Sequence, residues 1–386
     1  MNNSGVKIEV HLIQNFAPSN LNRDDTGQPK SAYFGGFRRA RISSQCSKRS
    51  TRQLWLRNSS ASAGVRTKLL KKELASLLAS EGRTDEQIGT VLDKFLTSFY
   101  SKMDKEKTSV LLFISGQELD ACATAINNNW DALISNGGLS KSQEKEITDI
   151  IKKAEISADI ALFGRMLAEQ PGRNTDGACQ VAHPISTHKV DMEMDFYTAV
   201  DDLNPEEETG AGMMGVVGFN SACYYRYAMV DRDQLARNLA RKTERKNGEW
   251  VQELEYKDYQ EADTVIKAFL EAMVYAIPTG KQNSFAAQNL PSFGLFVRRQ
   301  GGVPISLANA FAKPVRPRKD DDDLVGLSVA ELTKYWDRLK KCYGEQGVHA
   351  TTCFNLGLED RLNGLKESNK ESVEEAINSI MEMGIK

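Results

Sequence analysis

Val6, Ile8, Val10 and Leu12 alternate with Lys7, Glu9 and His11, so residues 6–13 read as a strand with one buried face. The period then lengthens. Leu69, Leu70, Leu74, Leu77 and Leu78 recur at helical spacing over residues 67–79, and Ile88, Val91, Leu92, Phe95, Leu96 and Phe99 do so over 85–100. The continuous apolar run 109–114 reads as a buried strand. Ser115 followed by Glu118 has the form of a capping box and predicts a helix to about 126. After a loop over 127–140, helices are expected over 142–154 and 157–169, the second stopped by Pro171-Gly172. Tyr224, Tyr225, Tyr227 and Val230 mark a strand over 222–230, with a short helix at 233–240 beyond it. Val265, Ile266, Phe269, Leu270, Met273 and Val274 mark a helix over 262–277. A strand follows at 293–299, and two helices close the chain at 328–342 and 372–383.

With the insertions set aside, the order is strand 6–13, helix 43–57, strand 109–114, strand 222–230, helix 262–277, strand 293–299. This β-α-β-β-α-β order is ferredoxin-like and is shared by RNA-recognition folds. The fold class is therefore α+β, although the order alone supports many functions.

Composition narrows the class. The chain has 386 residues, 40% hydrophobic and 26% charged, as a globular protein of two domains, or of one with large insertions, would. No run is long enough for a membrane span and the first residues lead straight into a strand, so no membrane partner and a cytoplasmic location are expected. The six cysteines are scattered, without a Cys-x-x-Cys pair, which argues against a zinc ribbon or a disulfide frame. A net charge of -2 excludes a polycation that coats nucleic acid everywhere; binding to a polyanion must use a local groove.

Such a groove has a candidate. From 38 to 52 the chain carries Arg38, Arg39, Arg41, Lys48, Arg49 and Arg52 and no acidic residue. Ser43 or Ser44 can cap a helix there, placing Gln45, Lys48, Arg49 and Arg52 on one face. A basic face with free amides at its start suits a phosphate backbone. A solvated surface face is the plainer alternative. Gly35-Gly36 just before it permits a close backbone approach.

Leu21-Asn22-Arg23-Asp24-Asp25, Phe34-Gly35-Gly36, Arg39-Ala40-Arg41-Ile42-Ser43-Ser44-Gln45 and Lys48-Arg49 resemble the start of the CasC family, the backbone subunit of the type I-E CRISPR surveillance complex, Cascade. Ala161-Leu162-Phe163-Gly164-Arg165-Met166 is a second similar string. A third runs from Ala182-His183-Pro184 through Asp195-Phe196-Tyr197 to Phe219-Asn220 and Tyr224-Tyr225-Arg226-Tyr227. The resemblance spans most of residues 6–300. It implies a modified RNA-recognition palm (1–57, 108–116 and 221–312), helical fingers (58–107 and 117–180) and a β-hairpin thumb (181–220), leaving 313–386 as linker and C-terminal helices.

It further implies a protein that coats CRISPR guide RNA in head-to-tail copies beside other Cascade subunits and meets target DNA through the guide. The RNA contacts implied are Asn22, Arg23, Lys30, Arg38, Arg39, Arg41, Ser43, Ser44, Gln45, Lys48, Arg49, Arg52 and Lys281, with Arg165 and Met166 on the fingers and Met214 near the thumb tip. No catalytic residue, metal or cofactor is implied.

Other chemistry is weaker. Asp24 and Asp25 suit a divalent metal or a general base, which would make the protein a target-RNA ribonuclease, but adjacent carboxylates point apart and more simply order their loop. His183 and His188 do not share a helix face and read as hydrogen-bonded loop histidines. No P-loop, dinucleotide fingerprint or nucleophile elbow is present. A monomeric general RNA-binding protein is the remaining alternative.

Overall fold

The computed structural model describes residues 5–58, 63–79, 82–99, 103–104, 107–108, 110–135, 138–167, 170–199, 213–319 and 322–382. The chain divides into two compact units. One comprises Met1–Asn58, Gln180–Met229 and Ile266–Lys386; the other comprises Ser59–Cys179 and Val230–Val265.

The first unit is built on a sheet ordered Glu193–Ala199, Met213–Asp231, Val6–Ser19, Phe293–Gln300, Val348–Asn355. The N-terminal strand is therefore central. It runs antiparallel to Phe293–Gln300, with Val6 opposite Gln300 and Ile13 opposite Phe293. It is also longer than expected, taking in Asn15–Ser19 of what the Asn, Pro, Asp and Gly over residues 15–31 read as a loop. The rest of that loop leads into a hairpin, Ser31–Phe34 with Phe37–Ala40, turned by Gly35 and Gly36, both at positive φ (61° and 83°). The helix Ser44–Asn58 follows and turns Ser47, Ser50, Thr51 and Trp55 inward.

The half-buried reading of the first strand is corrected by the structure. Glu9 and His11, on its polar side, are fully buried. The Glu9 carboxylate accepts from Arg299 Nε at 2.7 Å, from the Tyr227 hydroxyl at 3.0 Å and from the Ile305 amide at 2.5 Å. The His11 Nδ1 is hydrogen-bonded with the Tyr225 hydroxyl at 2.9 Å, and that hydroxyl accepts from the Leu307 amide. The segment after Gln300 covers this face, so the alternation marks two buried environments, one apolar and one hydrogen-bonded.

The expected linker 313–386 also belongs to this unit. Its strand Val348–Asn355 joins the sheet beside Phe293–Gln300, and Thr352 Oγ1 donates to Ala376 O of the last helix, Val373–Glu382. The helix Leu324–Tyr343 packs Val329, Leu332 and Trp336 onto the core with Phe293, Leu295 and Val297.

The second unit holds the helices Leu70–Leu78, Asp85–Phe99, Gly116–Asn128, Trp130–Ile134 and Lys141–Lys153 around one apolar cluster that includes Leu74, Val91, Phe95, Ile126 and Ile147. The capping box at Ser115 and Glu118 is present. The strand expected over 109–114 is corrected in place. Leu112–Ile114 pairs with Val65–Thr67 in this unit and not with the palm sheet. A run of apolar residues states burial and not against what; Leu112 and Ile114 are buried among the helices. Ser109 and the thumb loop 200–212, with its acidic residues, lie outside the described residues.

Burial pushes the His11 imidazole down, from 6.5 to about 3, with the Arg299 charge acting the same way. A lowered folded value means that the unfolded chain takes up the proton first. This stability is complete above pH 6.5 and is lost as pH falls toward 3. Acidification from pH 7 to 5 is expected to cost about 2 kcal/mol through this one group. In His11→Gln, which keeps a hydrogen-bonding side chain facing Tyr225, denaturant melts at the two pH values should lose that difference; an unchanged difference would assign the acid sensitivity elsewhere.

Candidate nucleic-acid interface

The start of the basic helix is locked by its neighbours. The Ser43 hydroxyl accepts the Cys46 amide at 3.2 Å, so Ser43 is the cap. Asn22 Oδ1 accepts the Ser43 amide at 2.8 Å, while its own carbonyl accepts from Lys30 N at 2.9 Å. Arg41 N donates in turn to Lys30 O at 3.0 Å. The loop after the first strand is thus stitched to the helix start. Gly280 packs against the same loop; a Cβ there would lie 2.3 Å from Leu21 O, and Lys281 follows directly on this contact.

Around this start the side chains form a cationic strip. Arg23 and Arg49 are exposed, and Lys30, Arg41, Lys48 and Arg52 are half-buried. Arg41 donates to His183 Nδ1 at 2.9 Å, so that nitrogen is unprotonated. Burial and the charges of Arg41 and Lys30 hold the His183 imidazole below its ordinary value. Burial raises the Cys46 thiol, and Lys30 and Arg49 act on it from close by in the opposite sense. Lys30, Arg41 and Arg49 therefore surround one spot beside the helix start. The first helical turn carries no acid, and among the described residues no carboxylate is within salt-bridge distance of Arg23, Lys30, Arg41 or Arg49. Ser44 and the exposed Gln45 add polar atoms at the same end.

Asp24 has a structural task. Asp24 Oδ1 accepts the Thr26 hydroxyl at 2.7 Å, the Thr26 amide at 2.9 Å and the Gln28 amide at 3.0 Å. The Thr26 hydroxyl is the main cause that holds this exposed carboxyl below its usual range. Among the described residues, no group of three or more His, Cys, Asp or Glu side chains converges as a metal set would. No helix among them is long and apolar enough to cross a membrane.

Two expected contacts are corrected. Arg39 is fully buried: it donates to Ser186 O at 3.0 Å, Phe311 O at 2.6 Å and Ala312 O at 3.3 Å. It faces inward because Ala32, Phe34, Phe37 and Arg39 share the covered side of the hairpin, while Tyr33 and Arg38 share the outer side. Arg165 is likewise inside the second unit, paired with Glu118. Arg38 is exposed and donates to Ser31 Oγ at 3.3 Å. Met214 sits on the projecting hairpin and Met166 on a loop of the second unit, 67% and 84% exposed.

The hairpin also holds a feature that simple alternation signals. Phe196 lies opposite Val216 and Thr198 opposite Met214, so Met194, Phe196, Met214 and Val216 share one face, each more than half exposed. The buried partner of Arg165 had no comparable signal, since Glu118 is distant in sequence.

The architecture is that of a subunit chain of CRISPR surveillance complexes. A chain of a solved structure described as "CRISPR RNA-guided surveillance complex, pre-nicking" matches at 29% identity and a TM-score of 0.83, over 97% of this chain and 99% of that one. A chain of a "CRISPR RNA-guided surveillance complex" shares the fold at 24% identity and a TM-score of 0.74, over 97% and 99%. The chain belongs to the CT1975-like protein family, whose model matches residues 8–382. Comparison with curated protein sequences gives no match.

The two kinds of arginine are separable. Arg39→Ala strands three buried carbonyls and is expected to cost about 3 kcal/mol or more. Arg49→Ala on the open strip should cost under about 0.5 kcal/mol while weakening binding to single-stranded RNA. Melting and RNA titration of both variants check this; equal stability losses would dissolve the distinction.

Proposed function

We propose that the protein is a guide-RNA-coating backbone subunit of a Cascade-type surveillance complex, of the CasC kind and type I-E. The observation that carries this reading is the strip of cations at a locked helix start, free of acidic residues in the first turn. Family membership and the likeness to chains of RNA-guided complexes support it. The sheet with its helices Ser44–Asn58 and Tyr256–Tyr275 is read as the modified RNA-recognition palm, the helical insertion as fingers and the Glu193–Ala199 hairpin as thumb.

In this mechanism Arg23, Lys30, Lys48, Arg49 and Arg52 hold phosphates, and Ser43, Ser44 and Gln45 add hydrogen bonds. Such contacts fix register without reading sequence, as a subunit that accepts any guide requires. Copies stack head to tail, a heterologous contact that extends along the RNA and does not close. The thumb's apolar face lies against bases of the neighbouring copy's segment. Guide bases between contacts stay open to pair with target DNA, with sequence choice left to base pairing. The subunit is a binder in the cytoplasm and not an enzyme, and it works beside other subunits of the complex. The Asp24 carboxylate, committed to Thr26 and Gln28, supports a role in the turn.

Light scattering with and without a guide-length RNA and a divalent cation tests the reading. One discrete species whose mass follows RNA length, with the RNA intact, is expected. A monomer that fragments RNA in a manner lost in Asp24→Ala would replace the reading with a ribonuclease, and RNA binding without growth in mass would replace it with a monomeric binder. Five phosphate contacts predict that log affinity falls against log salt with a slope of about -3.5 per subunit. A slope near zero would remove the strip as the RNA site.

A further inference from the structure

The projecting hairpin leaves the first unit at one residue. Glu193–Ala199 is exposed along its whole length, and on the partner strand Met213–Asp231 the first buried position is Gly218, opposite Met194. Asn20, itself fully buried, holds that residue from the loop after the first strand. Its Nδ2 donates to Gly218 O at 2.9 Å and to Gly27 O at 3.0 Å. Both neighbours are carbonyls, so only the amide nitrogen fits against them. One side chain thus closes the loop 20–27 on itself and ties it to the root of the hairpin. Gln28 adds a wedge. A Cβ on Gly218 would lie 1.6 Å from Gln28 Oε1, so the Gln28 amide fills the space that a side chain at 218 would need.

A second segment braces the same root. Phe219 packs on Phe285, with 5.8 Å between ring centroids. Phe285 ends the short helix Gln282–Phe285, flanked by Lys281 and Ala286, both at positive φ (52° and 48°). Two left-handed non-glycine residues strain this turn, and Gln282 holds it by donating to Pro278 O at 2.9 Å and Ala287 O at 3.2 Å. Gly280 just before it lies against Asn20 O and Leu21 O. The root is therefore gripped by the two segments that carry Arg23, Lys30 and Lys281. The grip has a cost. Among the described residues, Asn20 Oδ1 and Gln28 Oε1 are buried and find no donor. Unpartnered buried oxygens lower stability, so the junction gives up stability for a fixed shape.

We propose that Asn20 and Gln28 are positioning residues that fix the angle between the hairpin and the phosphate-holding loop 21–30. The hairpin's apolar face then reaches the single strand at a set distance from the phosphates held by Arg23 and Lys30. The proposal rests on the RNA-coating reading and adds that one junction sets both phosphate capture and the reach of the hairpin. Neither residue touches RNA; each acts through Gly218, as a supporting residue that locks a binding element in place does.

The test uses the full chain at saturation and a guide-length RNA carrying 2-aminopurine, which brightens when unstacked. Gly218→Ala suits the strand backbone but displaces the Gln28 amide. It is expected to halve or more the brightening on binding and to leave the salt slope unchanged. Adding Gln28→Ala frees the space, and most of the brightening should return, because the two positions act as one unit. Asn20→Asp keeps the shape, loses both donors and should dim the signal as Gly218→Ala does. Should it fail to fold, the Gly218 and Gln28 variants carry the test. Full brightening in Gly218→Ala overturns the proposal. So does dimming that persists in the double variant, as a general loss of stability would give. A slope shallower by about 0.7 in Gly218→Ala also overturns it, since a phosphate contact and not the hairpin would have moved. A wild-type chain that binds RNA without brightening overturns the proposal alone, and one that binds no RNA would instead overturn the reading of the preceding subsection.

Discussion

A buried guanidinium without a carboxylate holds the first unit's site together. Arg39 ties three separate segments, the hairpin 31–40, the strand Ile185–Ser186 and the turn at Phe311–Ala312, through backbone carbonyls alone. Gly35 closes the same contact; any side chain there would overlap Ala312 O, 1.8 Å from the Cβ position. Burial lowers the Arg39 pKa, yet an arginine keeps its charge at neutral pH, so the carbonyl dipoles must carry a permanent cation. Such a charge is tolerated only while all its partners stay in place. The hairpin, and with it the entry into the basic helix, is therefore set by an interaction that cannot be half made.

The same logic divides the arginines. Arg39 and Arg165 share residue type with Arg38 and Arg41, yet they are spent inside. Arg226 is a third inner arginine, bound to Gln14 Oε1 and Met273 O, with burial holding it down to about 10. Each fixes one segment to another. Arg38, left outside, has a single weak partner in Ser31. Rigidity and ligand capture thus use one side-chain chemistry in two solvent environments.

What the sequence disclosed follows from how local each signal is. The leucine-rich helices, the capping box at Ser115 and the cap at Ser43 depend on residues three or four apart, and they appear where expected. The strand Val348–Asn355 was not legible. Its buried Thr352 satisfies its hydroxyl on Ala376, so a polar residue stands where a core residue would have signalled a strand. Leu112–Ile114 was legible as a strand but not as to its partner, because an apolar run carries no address. Of the site, the clustering of Asn22, Lys30, Ser43 and Arg49 was foreseen. The fate of Arg39 and Arg165 was not, since Ser186, Phe311 and Ala312, which hold Arg39, and Glu118, which holds Arg165, lie 47 to 273 residues away.

Near-neutral net charge and a local strip are compatible because of this division. An arginine locked on carbonyls or on Glu118 has no mobile counterions, so it releases none when a polyanion arrives. Only cations that were paired with solvent ions gain that entropy. The chain's basic residues therefore overstate its capacity for phosphates, and the count that matters is the number standing in water around the Ser43 cap. A surface that depends on so few ions is weak as a single copy and strengthens only when copies are joined along one strand, where each added copy binds as if intramolecular. On the proposed reading, head-to-tail stacking is then a requirement of the electrostatics and not an addition to it.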